Sequence, residues 1–198
     1  ELISGKRGER IGHVESLINV LTGSKSALVV NNNAAAVLLM LNTLSEGKSV
    51  IISRGEQVEI GGSFRIPDVI EKSGCKMIEV GTTNKTHLKD YQKAITKTTG
   101  AILVAHTSNY KVIGFTESVE IKELIKIAKK KRVPLYLDLG SGALINYENY
   151  NFYENVLSAI IIPDKDIIPN SKNLSPAFLV FHNYELILKW NRSLRFAL

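Results

Sequence analysis

Cysteine is nearly absent from this chain, with one residue, Cys75, in 198. A single thiol cannot close an internal disulfide, which excludes a disulfide-stapled scaffold and fits a reducing compartment. It also lacks a partner with which to complete a zinc site. The four histidines, His13, His87, His106 and His182, include no pair at i and i+4. No metal site is expected. Long apolar runs are missing as well: AILVA, SAIII and AFLVF have strand length, far below the ~20 residues of a membrane helix. The chain does not open with the charged, apolar and small-residue segments of a signal peptide. Neither a Walker phosphate loop nor a serine nucleophile elbow occurs. The expectation is a cytoplasmic protein with no membrane partner.

What is present is the composition of an ordinary globular protein, 44% hydrophobic and 22% charged. Lys and Arg number 25 against 19 Asp and Glu, a net charge of +6. That balance favours anionic partners such as nucleic acid or phosphorylated ligands, or else reflects solvated lysines on helix faces. The densest run, Lys129 to Arg132, falls at an expected helix C-terminus, where cations suit the helix dipole.

Short apolar runs alternate with amphipathic stretches. Strands are expected at Ala27–Val30, Ser49–Ser53, Lys76–Val80, Ala101–Ala105 and Pro134–Leu139, with weaker ones at Ser158–Ile162 and Ala177–Phe181. Runs that are apolar throughout indicate strands covered on both faces, as in a parallel sheet. Helices are expected around Val14–Leu21, Ala34–Leu44, Leu88–Lys97 and Ile121–Ala128, the last with Thr116 or Ser118 as its N-cap. This alternation is the α/β pattern, and no repeat or Pro/Gly/Ser linker divides it. Asn146–Asn155 and Pro163–Pro176 read as loops.

Four stretches could carry chemistry. In VVNNNAAAVLL a strand ends, asparagines turn the chain, and small residues open a helix whose free N–H groups suit an anion. The alternative is a plain N-cap by Asn33. In LDLGSGAL, Asp138 ends a strand before two glycines, where it could pair with a cationic ligand atom or merely cap its own turn. In VAHTSNYKVIGFT, His106, Ser108 and Asn109 stand just past a strand. His106 is a candidate cofactor-binding residue, with a hydrogen-bonded structural role as the alternative. In ISRGEQVEIGGSFRIPD, Arg54 and Arg65 flank a Gly61-Gly62 turn and suit carboxylate or phosphate recognition; two surface arginines are the plain alternative.

Together these segments resemble the bacterial selenocysteine synthase family, L-seryl-tRNA(Sec) selenium transferase. The matching strings are KRGERIGHVESLINVLTG, VVNNNAAAVLLMLNTL, SRGEQVEIGGSFRIPDVIEKSG, EVGTTNKTHLKDY, HTSNYKVIGFT and DLGSGALI, in the family's order from about Lys6 to Ile145. The resemblance implies a fold-type I pyridoxal 5'-phosphate (PLP) large domain, a mostly parallel seven-stranded sheet with helices on both faces, over residues 1–198. The family's small N-terminal domain and its C-terminal domain would lie outside this stretch. The resemblance also implies the cofactor phosphate at Asn32, Asn33 and Ala34 and the pyridine nitrogen at Asp138, with Asn109 a partner for the phenolic oxygen. Family members convert seryl-tRNA(Sec) to selenocysteinyl-tRNA(Sec): water is eliminated to leave an aminoacrylyl intermediate, and selenium from selenophosphate adds. Homo-oligomers are implied by the same resemblance.

The catalytic lysine should follow the sixth strand, where the family carries Ser-Gly-Asp-Lys. Here IIIPDKD keeps Asp164-Lys165 but has Ile162-Pro163 for the serine and glycine. Lys165 is the expected Schiff-base residue, and Lys172, close before Pro176, is its rival. Arg54 is a candidate substrate-site residue, and Arg195 in NRSLRFAL matches a substrate-site arginine of the family. The alternative function is a non-catalytic remnant of the fold that persists as an interaction module.

Overall fold

A computed structural model describes residues 10–22, 27–30, 32–60, 63–107, 109–140 and 160–161. The chain builds a three-layer α/β unit. Helix α1 spans Arg10–Thr22 and α2 spans Asn33–Ser45. Strand β1 (Ser49–Ser53) runs into a one-turn 3-10 helix at Arg54–Glu56, followed by the short strands β2 (Glu59–Ile60) and β3 (Phe64–Arg65). Then come α3 (Ile66–Lys72), β4 (Lys76–Val80), α4 (Leu88–Ala94), β5 (Thr99–Ala105), α5 (Ile121–Lys131), β6 (Leu135–Asp138) and β7 (Ile160–Ile161).

The main sheet has the order β4-β1-β5-β6-β7. The first four strands pair in parallel, and β7 closes antiparallel on β6 through Leu137↔Ile161 and Asp138↔Ile160. Successive residues of β1 bury into opposite layers. Val50 and Ile52 join Val37 and Leu41 of α2 and Ile66 and Ile70 of α3. Ile51 joins Tyr91 of α4 and Leu124 and Ala128 of α5. Every residue of β1 is buried, as its unbroken apolar run requires.

Several expectations change. Ala27–Val29 is buried but pairs with no strand among the described residues, where the main sheet has five strands. Within Ser158–Ile162, Ile160–Ile161 are described and form β7, and the rest of that stretch and Ala177–Phe181 lie outside the described residues. Helix α4 stops at Ala94, short of Lys97. Ile95 turns to an extended conformation, and the Thr96, Thr98 and Thr99 hydroxyls bond to one another and to the local backbone, competing with a further helical turn. Neither Thr116 nor Ser118 caps α5, whose N-cap is Glu120. The chain before it is held extended, because Glu117 N donates to Asn84 O and Thr86 N to Glu117 O, both at 2.9 Å. Gly81 makes the turn beneath that loop at φ +71°, with Thr86 Oγ1 2.2 Å from where a Cβ would sit.

Candidate cofactor site at the carboxyl edge of the sheet

In an open α/β sheet, ligands bind beyond the carboxyl ends of the strands, where strand ends and helix N-termini converge. Here β6 ends at Asp138 and the N-terminus of α2 stands over it. Asn32 is the true N-cap of α2. Its extended backbone (φ −160°, ψ 170°) lets Oδ1 accept from Ala35 N at 2.8 Å. That frees Asn33, the expected cap, for another task. Its Nδ2 donates to Asp138 Oδ1 at 2.7 Å, across 105 residues of sequence. Ala34 follows in the same first turn, half-buried and too small to block a ligand.

Asp138 is 3% exposed. Oδ1 also accepts from Gly140 N at 2.9 Å, so the aspartate does cap its own turn. Both hydrogen bonds fall on Oδ1, leaving Oδ2 without one among the described residues. Burial raises the Asp138 carboxyl above the usual range, while Gly140, Asn33 and His106 pull it back. Oδ1 of Asn33 is buried with no partner among the described residues. A buried carboxylate is costly unless its oxygens are satisfied, so this edge suits a ligand that brings a cationic donor to Oδ2.

At the end of β5, His106 N donates to Asp138 O at 2.8 Å, and its side chain is exposed. Asn109 turns away: Nδ2 donates to Glu59 O at 2.7 Å. Tyr110 likewise donates its hydroxyl to Gly55 O. Arg54 is exposed and paired with Glu79 of β4, which also accepts from Gln57. Arg65 pairs with Glu59 across the β2–β3 ribbon. Lys165, Lys172, Arg195 and Ser108 lie outside the described residues. The structure therefore brings together Asn32, Asn33, Ala34, Asp138 and the backbone of His106, and sets Asn109 and Arg54 on other partners. No group of metal-ligating side chains occurs among the described residues, and no described helix is long and apolar enough to cross a membrane.

Sequence reasoning missed Glu56. The 3-10 turn after β1 brings it back over the sheet edge, where Oε2 accepts from Ala105 N at 3.4 Å. Nothing in its sequence neighbourhood marks it. Only the crossover that sets β1 beside β5 places it there.

The family model described as SelA: L-seryl-tRNA selenium transferase matches residues 1–172. The chain is 53% identical over 169 residues to the L-seryl-tRNA(Sec) selenium transferase of Alkaliphilus oremlandii (strain OhILAs), covering 85% of this chain and 36% of that protein. Against the enzyme of the same name from Carboxydothermus hydrogenoformans (strain ATCC BAA-161 / DSM 6008 / Z-2901), identity is 52% over 169 residues, with the same coverage of both chains. The chain belongs to the L-seryl-tRNA selenium transferase family. It spans 36% of the length of these two relatives. Among solved structures, D-glucosaminate-6-phosphate ammonia-lyase superposes with a TM-score of 0.59 at 18% identity, covering 68% of this chain and 40% of that one. Helicobacter pylori PseC, an aminotransferase involved in the biosynthesis of pseudoaminic acid, gives 0.50 at 24% identity, covering 72% and 37%. At such identities the likeness concerns the fold, which is the fold-type I α/β large-domain architecture. Among the selenium transferase family strings, the Asn-rich turn meets the Asp-Leu-Gly turn through the Asn33–Asp138 bond.

Proposed function

We propose that this chain carries the PLP-binding part of an enzyme that converts seryl-tRNA(Sec) to selenocysteinyl-tRNA(Sec) with selenophosphate. The observation that carries the reading is the buried Asn33–Asp138 pair, in which Asp138 Oδ2 accepts no hydrogen bond among the described residues. A protonated pyridine nitrogen is a cation of the kind Asp138 Oδ2 lacks, and charge-assisted pairing there would offset the burial of the carboxylate. The free N–H groups of the first turn of α2, beside Asn32, Asn33 and Ala34, suit the phosphate. PLP, when bound, supplies the electron sink that seryl substitution needs. The chain's own residues orient it: Asn33 fixes the Asp138 carboxyl, and the His106 N–H ties the end of β5 to Asp138 O. Lys165, with Lys172 as rival, supplies the amine, and Arg54 and Arg195 are the candidate substrate contacts. For Arg54 that role requires exchange of its Glu79 partner for substrate. On this reading residues 1–198 belong to the large PLP domain, the protein works in the cytoplasm, and homo-oligomerisation completes the site.

Adding PLP, reducing with borohydride and mapping the adduct by mass spectrometry tests this without an activity assay. A single pyridoxyl group on Lys165 is the expected result. Adduct on Lys172 alone moves the amine but keeps the site. Scattered or absent labelling overturns the reading in favour of a fold that acts without the cofactor.

A further inference from the structure

The carboxyl edge of the sheet holds a second carboxyl besides Asp138. Ala105 and Asp138 are register partners in the β5–β6 pair, so they lie one strand spacing apart, roughly 5 Å. Glu56 reaches that row from the other side of β5, with Oε2 on Ala105 N. The two carboxyls thus flank the end of β5. Asp138 is bound by two short hydrogen bonds, of 2.7 and 2.9 Å, whereas Glu56 has one long contact of 3.4 Å. The side chain that sequence reasoning puts at this edge, Asn109, is spent on Glu59 O.

We propose that Glu56 faces the bound ligand from the β1 side and donates a hydrogen bond from its carboxyl to a ligand oxygen. This rests on the PLP reading above. The rival role is a plug: β1 turns away before it can pair with Ala105 N, and a carboxylate could simply satisfy that N–H. The surroundings favour a neutral acid. Tyr91 of α4 and Tyr110 of the loop after β5 face Glu56, and both of their hydroxyls are pushed above the ordinary tyrosine range. Arg54 on the same turn is engaged by Glu79 of β4. His106 interacts with Asp138. No cation is therefore assigned to Glu56 among the described residues, and burial pushes its carboxyl up to about 8 against the bond from Ala105 N, which lowers it.

The sign follows. A donor carboxyl must hold its proton, so affinity for the ligand is full below pH about 8 and falls by about tenfold per pH unit above it. Glutamine keeps a donor of the same shape without the titration. PLP binding to the wild-type chain and to Glu56→Gln, followed by absorbance across pH, separates the roles. Other titrations, including those of PLP itself, are common to both proteins and cancel in the comparison. The expected result is a wild-type affinity that falls relative to E56Q above pH about 8, with E56A weaker than E56Q throughout. Identical profiles for wild type and E56Q overturn the proposal while leaving the PLP site intact. No binding by the wild type at any pH overturns the site reading and this inference together. A check that needs no variant is the 13C carboxyl resonance of Glu56, which moves on PLP addition if it faces the ligand and stays put if it only plugs Ala105 N.

Discussion

Asn33 and Asp138 show how one residue can serve two ends of the chain. The Asn33 amide holds the one carboxylate oxygen that is already tied to the Gly140 turn, and on the proposed reading the other oxygen is the one that meets the ligand. Truncating it strands a buried charge acceptor. Asn33→Ala should cost about 1–3 kcal/mol of unfolding free energy, read from denaturant midpoints, and should weaken PLP binding as well. A loss below a few tenths of a kcal/mol would mean that the buried aspartate does not depend on the amide. Each asparagine was legible as a turn former, but their division of labour was not. Cap assignment depends on which residue leaves the helical backbone first, and that is Asn32.

At the scale of elements, α2 is the piece whose first turn holds the proposed phosphate site, and its cap is local chemistry. Asn32→Ala removes the bond to Ala35 N and should lower stability by about 1 kcal/mol, while the Asn33–Asp138 bond stays in place. Comparing thermal unfolding of N32A and N33A therefore separates helix capping from cross-sheet pairing. Helix α5 was readable because its apolar positions recur at helical spacing over 11 residues, and α2 because a long run of Ala, Leu and Met follows an asparagine cap. The seven-residue α3 was not foreseen, although Pro67 stands in its first turn and proline at the first positions of a helix is a start signal. The β2–β3 ribbon, two residues per strand, is too short to show any period. The 3-10 turn that carries Glu56 left no pattern either.

At the scale of the whole molecule, the sheet is sandwiched, and the consequence is measurable. Ile51 and Ile52 are both fully buried but in opposite layers. Ile51→Ala and Ile52→Ala should each cost about 2–5 kcal/mol, since both leave cavities in close-packed layers. A sheet with one solvated face would lose that much at only one of the two positions. The unbroken apolar strands announced this two-sided burial before any coordinates, and the strings shared with the selenium transferase family announced the fold. Both are local properties of the sequence, because a strand covered on both sides has no polar alternation to show. The meeting of Asn33 with Asp138, the diversion of Asn109 and Arg54 to other partners, and the arrival of Glu56 beside Ala105 were decided only by tertiary structure. Each joins residues at least 25 positions apart, and strand order and crossover, not local propensity, set which of them meet.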